Sequence, residues 1–385
     1  MTRDKLLWPA LLIALWMGSE SAALAIPAFA NKYEVSCSAC HAPAPRLRES
    51  GREFAARGFR LADPEQEPPD ATRDFGDPLL ALPRDFPLSV RIDGFAAWDD
   101  SAAAETDTEF PYVFKIISGG PLSPKISYYL YFIVEQGEVE GLEDAYLQFN
   151  SLFGSKIDMV FGQFQVSDPL FKRELRLERL DYEIYRTRVG LARANLTYDR
   201  GVALGTALGG VDVVLEVVNG NGIPEGEFDN DNHKNLALRL AREFGRVRLG
   251  LFGYAGKEDG GNDRTNAVSY FGPDLSARLG SRGELNLQYL ERRDDDPFFT
   301  GRRGSDLVTE GGFAEAHFFP QGENGRWVVS ALYNRVRSDD PAARRESAAL
   351  TLNRLLARNI RLVAEVGRDL EEDRNQASIG VSAAF

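Results

Sequence analysis

The chain has 385 residues with 58 acidic and 45 basic side chains, a formal net charge of −13 at pH 7. That balance argues against a nucleic-acid partner, because such proteins carry a basic footprint. The length suits two or three average domains or one large barrel, and the only two cysteines, Cys37 and Cys40, fall within one short motif.

Residues 1–25 are read as a secretory signal peptide. Arg3 and Lys5 precede an apolar run from Leu6 to Met17, and Ala23-Leu24-Ala25 supplies a small-x-small cleavage pattern. The run is short against the roughly 20 apolar residues that a spanning helix needs, and no later stretch is apolar enough for one.

Residues 26–87 are expected to form a monohaem cytochrome c segment. Cys37-Ser38-Ala39-Cys40-His41 has the order that covalent haem attachment requires. Each thiol adds to one haem vinyl group, the two intervening residues set the reach, and the next residue falls beneath the iron as proximal ligand. A redox dithiol would follow a strand at a helix start, and zinc needs about four ligands; neither context is visible. The expected cofactor is therefore one c-type haem on Cys37 and Cys40, with His41 on the iron. Leu47, Phe54, Phe59 and Leu61 suggest a short helix and its continuation, interrupted by Gly51 and Gly58. Large apolar residues are few here, so the haem must lean on the rest of the chain.

From Leu88 to Phe385 the pattern has period two. The alternating segments are Leu88-Trp98, Phe110-Gly119, Lys125-Glu135, Leu142-Asn150, Lys156-Gln165, Gly201-Leu208, Val211-Asn219 and Leu236-Phe244. They continue with Val247-Ala255, Asn266-Asp274, Glu284-Glu291, Leu307-Phe318, Trp327-Val336, Ser347-Leu355, Arg358-Gly367 and Gln376-Phe385. Strands of about ten residues, apolar towards lipid and polar towards a lumen, make a transmembrane barrel, and closure leaves no unpaired edge in hydrocarbon. The predicted fold is all-β, a closed antiparallel transmembrane β-barrel of about 16 strands with a small N-terminal c-type haem segment. Connections after even strands are short, as at Gly209-Gly210, and those after odd strands are mostly long and polar. That alternation predicts a Gram-negative outer-membrane protein in contact with lipid and lipopolysaccharide, its amino terminus entering from the periplasm.

This orientation sorts the candidates for a distal iron ligand, since Met159 is the only methionine past the signal peptide and His233 and His317 the only other histidines. His233 follows Asp229-Asn230-Asp231-Asn232 and belongs to an outer loop. His317 alternates with Glu315 late in a descending strand, which favours a lumenal position, so it ranks ahead of Met159. The long charged connection after Gln165 either folds inward as a constriction or stands outside as a surface cap; the inward reading is favoured, with Asp168, Lys172, Arg173, Glu174 and Arg176 at its centre. Carboxylate clusters at Asp99 and Asp100, with Glu105, Asp107 and Glu109, make one candidate surface cation site. Others are Glu225, Glu227, Asp229 and Asp231, and the run Asp294, Asp295, Asp296. Solvated loop charge is the plainer explanation of each cluster alone.

The stretch from Ile26-Pro27-Ala28-Phe29-Ala30 through the Cys-x-x-Cys-His motif to Phe54 and Gly58 resembles the amino terminus of the fused cytochrome–porin family of outer-membrane iron oxidases. Gly162-Gln163-Phe164-Gln165-Val166-Ser167-Asp168-Pro169 is similar to a sequence recurring in that family. The resemblance implies oxidation of extracellular ferrous iron and electron transfer to a periplasmic c-type cytochrome, an iron(II) oxidase-type activity. A haem supplies one-electron chemistry on its own account, and the absence of a second attachment motif argues against a self-contained haem wire. Two other functions compete: a diffusion porin whose haem segment docks a periplasmic partner, and a haem peroxidase or sensor with an open distal position.

Overall fold

The computed structural model describes residues 28–63, 76–77, 79–80, 86–223, 229, 231–260, 264–301 and 306–385. The expected signal peptide, Ile26, Pro27, Glu225 and Glu227 lie outside the described residues.

All sixteen alternating segments form strands. They are β1 (Leu88–Asp99), β2 (Thr106–Ser123), β3 (Ile126–Glu135), β4 (Glu138–Phe149), β5 (Asp158–Gln165), β6 (Tyr198–Leu208), β7 (Val211–Val218) and β8 (Asn235–Phe244). The second half is β9 (Val247–Asp259), β10 (Thr265–Leu279), β11 (Gly283–Asp294), β12 (Leu307–Phe318), β13 (Trp327–Ser338), β14 (Arg345–Ala357), β15 (Ile360–Asp369) and β16 (Arg374–Ala384). Each strand pairs with its sequence neighbours, and β1 pairs antiparallel with β16 to close the barrel. Closure reaches the last residue, where Val90 and Phe385 exchange backbone hydrogen bonds of 2.7 and 2.8 Å.

Alternation sets the two faces. On β8, Leu236, Leu238 and Leu240 are exposed, whereas Asn235, Ala237, Arg239 and Ala241 point inward and are buried. The outward set continues through Leu249, Leu251, Phe271, Phe318, Leu350, Val366 and Val381. An apolar belt of that extent is far larger than a water-facing surface tolerates and marks the lipid side of a transmembrane barrel.

The two ends differ. One end carries short turns, among them Gly209–Gly210, Gly245–Arg246 and Arg358–Asn359. The other carries the longer connections, with two departures from the expected pattern. Between β3 and β4 only Gln136 and Gly137 remain, both at positive φ (52° and 85°), the conformation that lets a two-residue turn follow strand twist. The first connection is also shorter than read from sequence: Asp107 and Glu109 belong to β2, paired with Ala97 and Phe95, because the ladder runs on beyond the apolar stretch.

Two segments occupy the barrel. The connection 166–197 folds into the lumen, where its Val166, Leu170, Tyr182, Ile184, Tyr185 and Leu196 pack on Phe252, Tyr270, Leu290, Phe313 and Leu332 of the wall. Tyr182 stacks on Phe313 at 3.9 Å. The amino-terminal segment folds as α1 (Ala28–Tyr33), a 3₁₀ turn (Cys37–Ala39) and α2 (Glu49–Ala56), and it sits at the short-turn end.

Candidate functional site

The amino-terminal segment has too few apolar residues for a core of its own and shares one with the barrel. Tyr33, Phe54 and Phe59 are buried with Phe29, Val35, Cys40 and Leu61 around them, and Tyr129 of β3 completes the cluster. Phe59 stacks between Phe29 and Tyr129, with ring centroids 5.0 and 5.6 Å away. Polar contacts fix the position: Gln148 and Asn150 donate to the Ala56 carbonyl at 2.7 and 2.9 Å, Arg60 to the Ser123 carbonyl at 2.6 Å, and Arg48 to Asn324 at 2.7 Å. Arg46 pairs with Glu284 of β11. Gly58 has φ +69°, and a Cβ there would lie 2.6 Å from both Ser127 and Asn150; only glycine allows that close approach.

Within this segment the Cys37 carbonyl accepts from the amides of Cys40 and His41 at 3.2 and 2.9 Å, turning the backbone so that both thiols and the imidazole stand on one tight turn. The cysteines are half-buried and not joined, and burial pushes both thiols up. His41 is half-buried, and burial holds its imidazole below the usual value. Its Nδ1 lies 3.0 Å from the Pro45 carbonyl. A backbone carbonyl on Nδ1–H leaves Nε2 as the lone-pair nitrogen. Two unjoined thiols at the attachment spacing, with an imidazole whose Nδ1 is held by a backbone carbonyl, fit the donor set of a c-type haem.

The lumenal loop is held by buried charge. Arg292 is fully buried, forks onto Asp294 at 2.6 and 2.8 Å, and donates to the loop carbonyls of Thr187 and Ala194 at 3.0 and 2.9 Å. Lys172 bridges Asp168 (2.7 Å) and Asp144 of β4 (2.9 Å). Arg173 and Arg176 share Asp181, Glu174 accepts from Tyr198, and Arg179 reaches Glu109 on β2 at 2.6 Å. Opposite the apolar packing, the loop leaves a cavity of about 890 Å³ bounded by Arg91, Lys115, Glu178, Arg179, Arg361 and Glu365. It extends to Asp99, Glu105 and Arg374 at the long-loop end. Arg173, Glu174 and Arg176 line it, whereas Asp168 and Lys172, paired with each other and Asp144, do not.

The two candidate distal ligands part company. Met159 pairs with Phe149 and Leu204 and shares the outward face with exposed Phe161, while its neighbour Val160 packs inward on the lumenal cluster. Alternation thus puts the Met159 thioether on the lipid side, away from the Cys37–His41 turn. His317 is buried in the lumen, with Nδ1 2.9 Å from Ser330 Oγ and Nε2 3.1 Å from Glu315.

Most of the surface carboxylates are engaged in local structure. Asp99 accepts from Gln376 at 2.8 Å, and Asp100 from Asn375 at 2.6 Å. Asp229 accepts from Asn221 at 2.7 Å, and Asp231 from the His233 amide at 2.7 Å; His233 itself sits beside Asp259 at 3.2 Å. Asp294 is not a surface group: it is fully buried against Arg292 and Asn266, because β11 extends past Glu291 and turns it inward. Asp296 caps the backbone of Thr300 at 2.9 Å, and Asp295 is half-buried beside it. Sequence reading did not single out Arg292 or Glu178 as site groups; both act across the lumen on residues remote in sequence.

No protein-family profile and no characterised sequence matches this chain. Solved structures do resemble it. An anion-selective porin from Comamonas acidovorans is 13% identical with a TM-score of 0.58, covering 78% of this chain and 99% of that one. OmpT, an outer membrane protein of Vibrio cholerae, is 12% identical with a TM-score of 0.56 and the same coverage. The outer membrane channel DcaP of Acinetobacter baumannii is 11% identical with a TM-score of 0.55, covering 78% and 97%. At such identities the likeness is one of fold: a porin-type barrel.

Proposed function

We propose that this chain is an outer-membrane electron-transfer barrel of a Gram-negative cell, with one c-type haem tethered through Cys37 and Cys40 and ligated by His41. The observation that carries the reading is the Cys-x-x-Cys-His turn, with its imidazole fixed by Pro45, docked on the lumenal wall at the short-turn end. When bound, the haem supplies one-electron redox chemistry. The chain's residues do the rest. The thiols tether, His41 offers Nε2, and the Phe29–Phe59–Tyr129 stack holds the segment against the wall, excluding water from one side of the turn. The cavity admits a small external donor from the long-loop side, ferrous iron being the leading one, and the exposed face of the segment meets a periplasmic c-type cytochrome.

The test is purified protein in liposomes that entrap an electron acceptor, with ferrous iron or an impermeant organic donor outside. Entrapped acceptor should be reduced by the wild-type protein and not by the Cys37→Ala/Cys40→Ala variant. Equal reduction by both, or none by either, sinks the proposal.

A second reading, a diffusion porin whose amino-terminal segment docks a periplasmic partner, is favoured by the 890 Å³ lumenal cavity and the porin-type fold. Stable ionic conductance of the wild-type protein in planar bilayers, combined with no electron transfer, would select it.

A further inference from the structure

Glu178, Glu315 and His317 meet in the lumen although they come from two separate parts of the chain. Glu315 and His317 are two residues apart on β12 and share its inner face; Glu178 arrives on the inward loop. One ligand atom from each lies within 4.8 Å of the other two. His317 Nε2 is 3.1 Å from Glu315 Oε2, and Glu178 Oε1 is 3.8 Å from His317 Nδ1. The side chains are buried, with exposures of 3% for His317, 2% for Glu315 and 0% for Glu178.

One atom has no account in the protein alone. Glu178 Oε2 accepts from the Leu177 amide at 3.0 Å, but Oε1, fully buried and aimed at the imidazole, has no hydrogen-bond partner among the described residues. A buried carboxylate oxygen is stable only when paired or coordinated. Nearby cations are committed elsewhere: Arg46 to Glu284 and the Ala42 carbonyl, and Arg361 to Asn353 and the Leu177 carbonyl. The surroundings also have the form of a ligand shell. Ser330 Oγ sits on Nδ1 at 2.9 Å, which leaves Nε2 to face Glu315, while Tyr182 and Asn286 donate to Glu315 at 2.7 and 2.8 Å. Outer partners of this kind orient first ligands on a metal.

We propose that Glu178, Glu315 and His317 form a binding site for a divalent first-row transition cation, such as Fe2+, Mn2+ or Zn2+. One imidazole and two carboxylates suit these ions, and the positive charge would neutralise the buried carboxylate pair. Glu178 also lines the cavity that reaches the long-loop end, which provides an entry path. On the other side, the Phe319 ring lies 6.3 Å from the His317 ring and beneath the Arg46 guanidinium at 5.1 Å. The site therefore stands between the cavity and the Cys37–His41 turn. It rests on the lumenal cluster and needs no haem.

The experiment is a Mn2+ titration followed by electron paramagnetic resonance, on full-length protein stripped with chelator. It is run on the wild-type chain and on the Cys37→Ala/Cys40→Ala variant, so that a failed haem reading stays separate from a failed metal reading. One tight Mn2+ per chain is expected in both. Glu178→Gln and His317→Ala should each weaken it at least tenfold, and Asp229→Asn/Asp231→Asn in the outer loop should leave it unchanged. No tight site in the wild type, or binding in Glu178→Gln equal to the wild type, overturns the proposal. Should His317→Ala not yield a heat-modifiable barrel, the isosteric Glu178→Gln on the loop decides alone.

Discussion

Replacing Arg292 with methionine should free the inward loop, and the structure sets the size of the effect. The guanidinium makes five hydrogen bonds: two to Asp294, one to the Tyr270 hydroxyl and one each to the Thr187 and Ala194 carbonyls. Methionine keeps most of the volume and donates nothing. Among the described residues, the Asp294 side chain then retains only Asn266, at 2.8 Å. Breaking a buried pair by removing one partner costs about 3–5 kcal/mol, and each loop carbonyl left dry adds about 1–3 kcal/mol. Both costs fall on the closed state and are relieved when the loop departs and water enters, so the bias towards release is at least about 3–5 kcal/mol. At about 1.4 kcal/mol per tenfold, the open state gains roughly a hundred- to few-thousand-fold. Two assays read this: conductance in planar bilayers, and trypsin cleavage of the arginine-rich loop in folded protein. Both should rise in Arg292→Met, and adding Asp294→Asn should return part of the effect by removing the orphaned charge. Arg293→Met, whose exposed partner is Glu291, serves as control and should change neither. Wild-type conductance and cleavage in Arg292→Met would refute the clamp.

Phe59→Ala removes the ring between Phe29 and Tyr129 and should cost about 3–5 kcal/mol, enough to undock the amino-terminal segment; limited proteolysis should then remove the segment from a barrel that still migrates as folded. Gly51→Ala would put a Cβ 2.3 Å from the Cys40 carbonyl oxygen. It should push α2 off the attachment turn and lower covalent haem, measured by pyridine haemochrome per mole of protein, without altering barrel folding. Arg179→Gln breaks the 2.6 Å link to Glu109 and removes a positive charge from the cavity; the reversal potential in a salt gradient should move towards cation preference. Cys37→Ala/Cys40→Ala should abolish haem staining on denaturing gels, and retained covalent haem would refute the assignment of the attachment site.

The barrel was legible because its physics is local and repetitive. Lipid on one side and a polar lumen on the other impose period two on every strand, so Leu236, Leu238 and Leu240 announce an outer face without any knowledge of their partners. The grouping of Cys37, Cys40 and His41 was legible for the same reason: they lie within one turn. Where connection lengths were misjudged, at Asp107 and Glu109, the ladder outran the apolar signal, since hydrogen bonding between strands does not stop where lipid does. Asp294 looked like loop charge because nothing near it in sequence shows that Arg292 turns inward beside it.

What the chain alone determined is the strand count, the closed antiparallel order and the grouping of Cys37, Cys40 and His41 on one turn, since each follows from spacing between near neighbours. The tertiary structure decided which charges are buried, that Met159 faces outward, that Phe59 docks on Tyr129, and that Glu178 meets Glu315 and His317. Those outcomes depend on the path a long loop takes through the lumen and on the pairing of groups far apart in sequence. Their energies exist only once the barrel has closed around them.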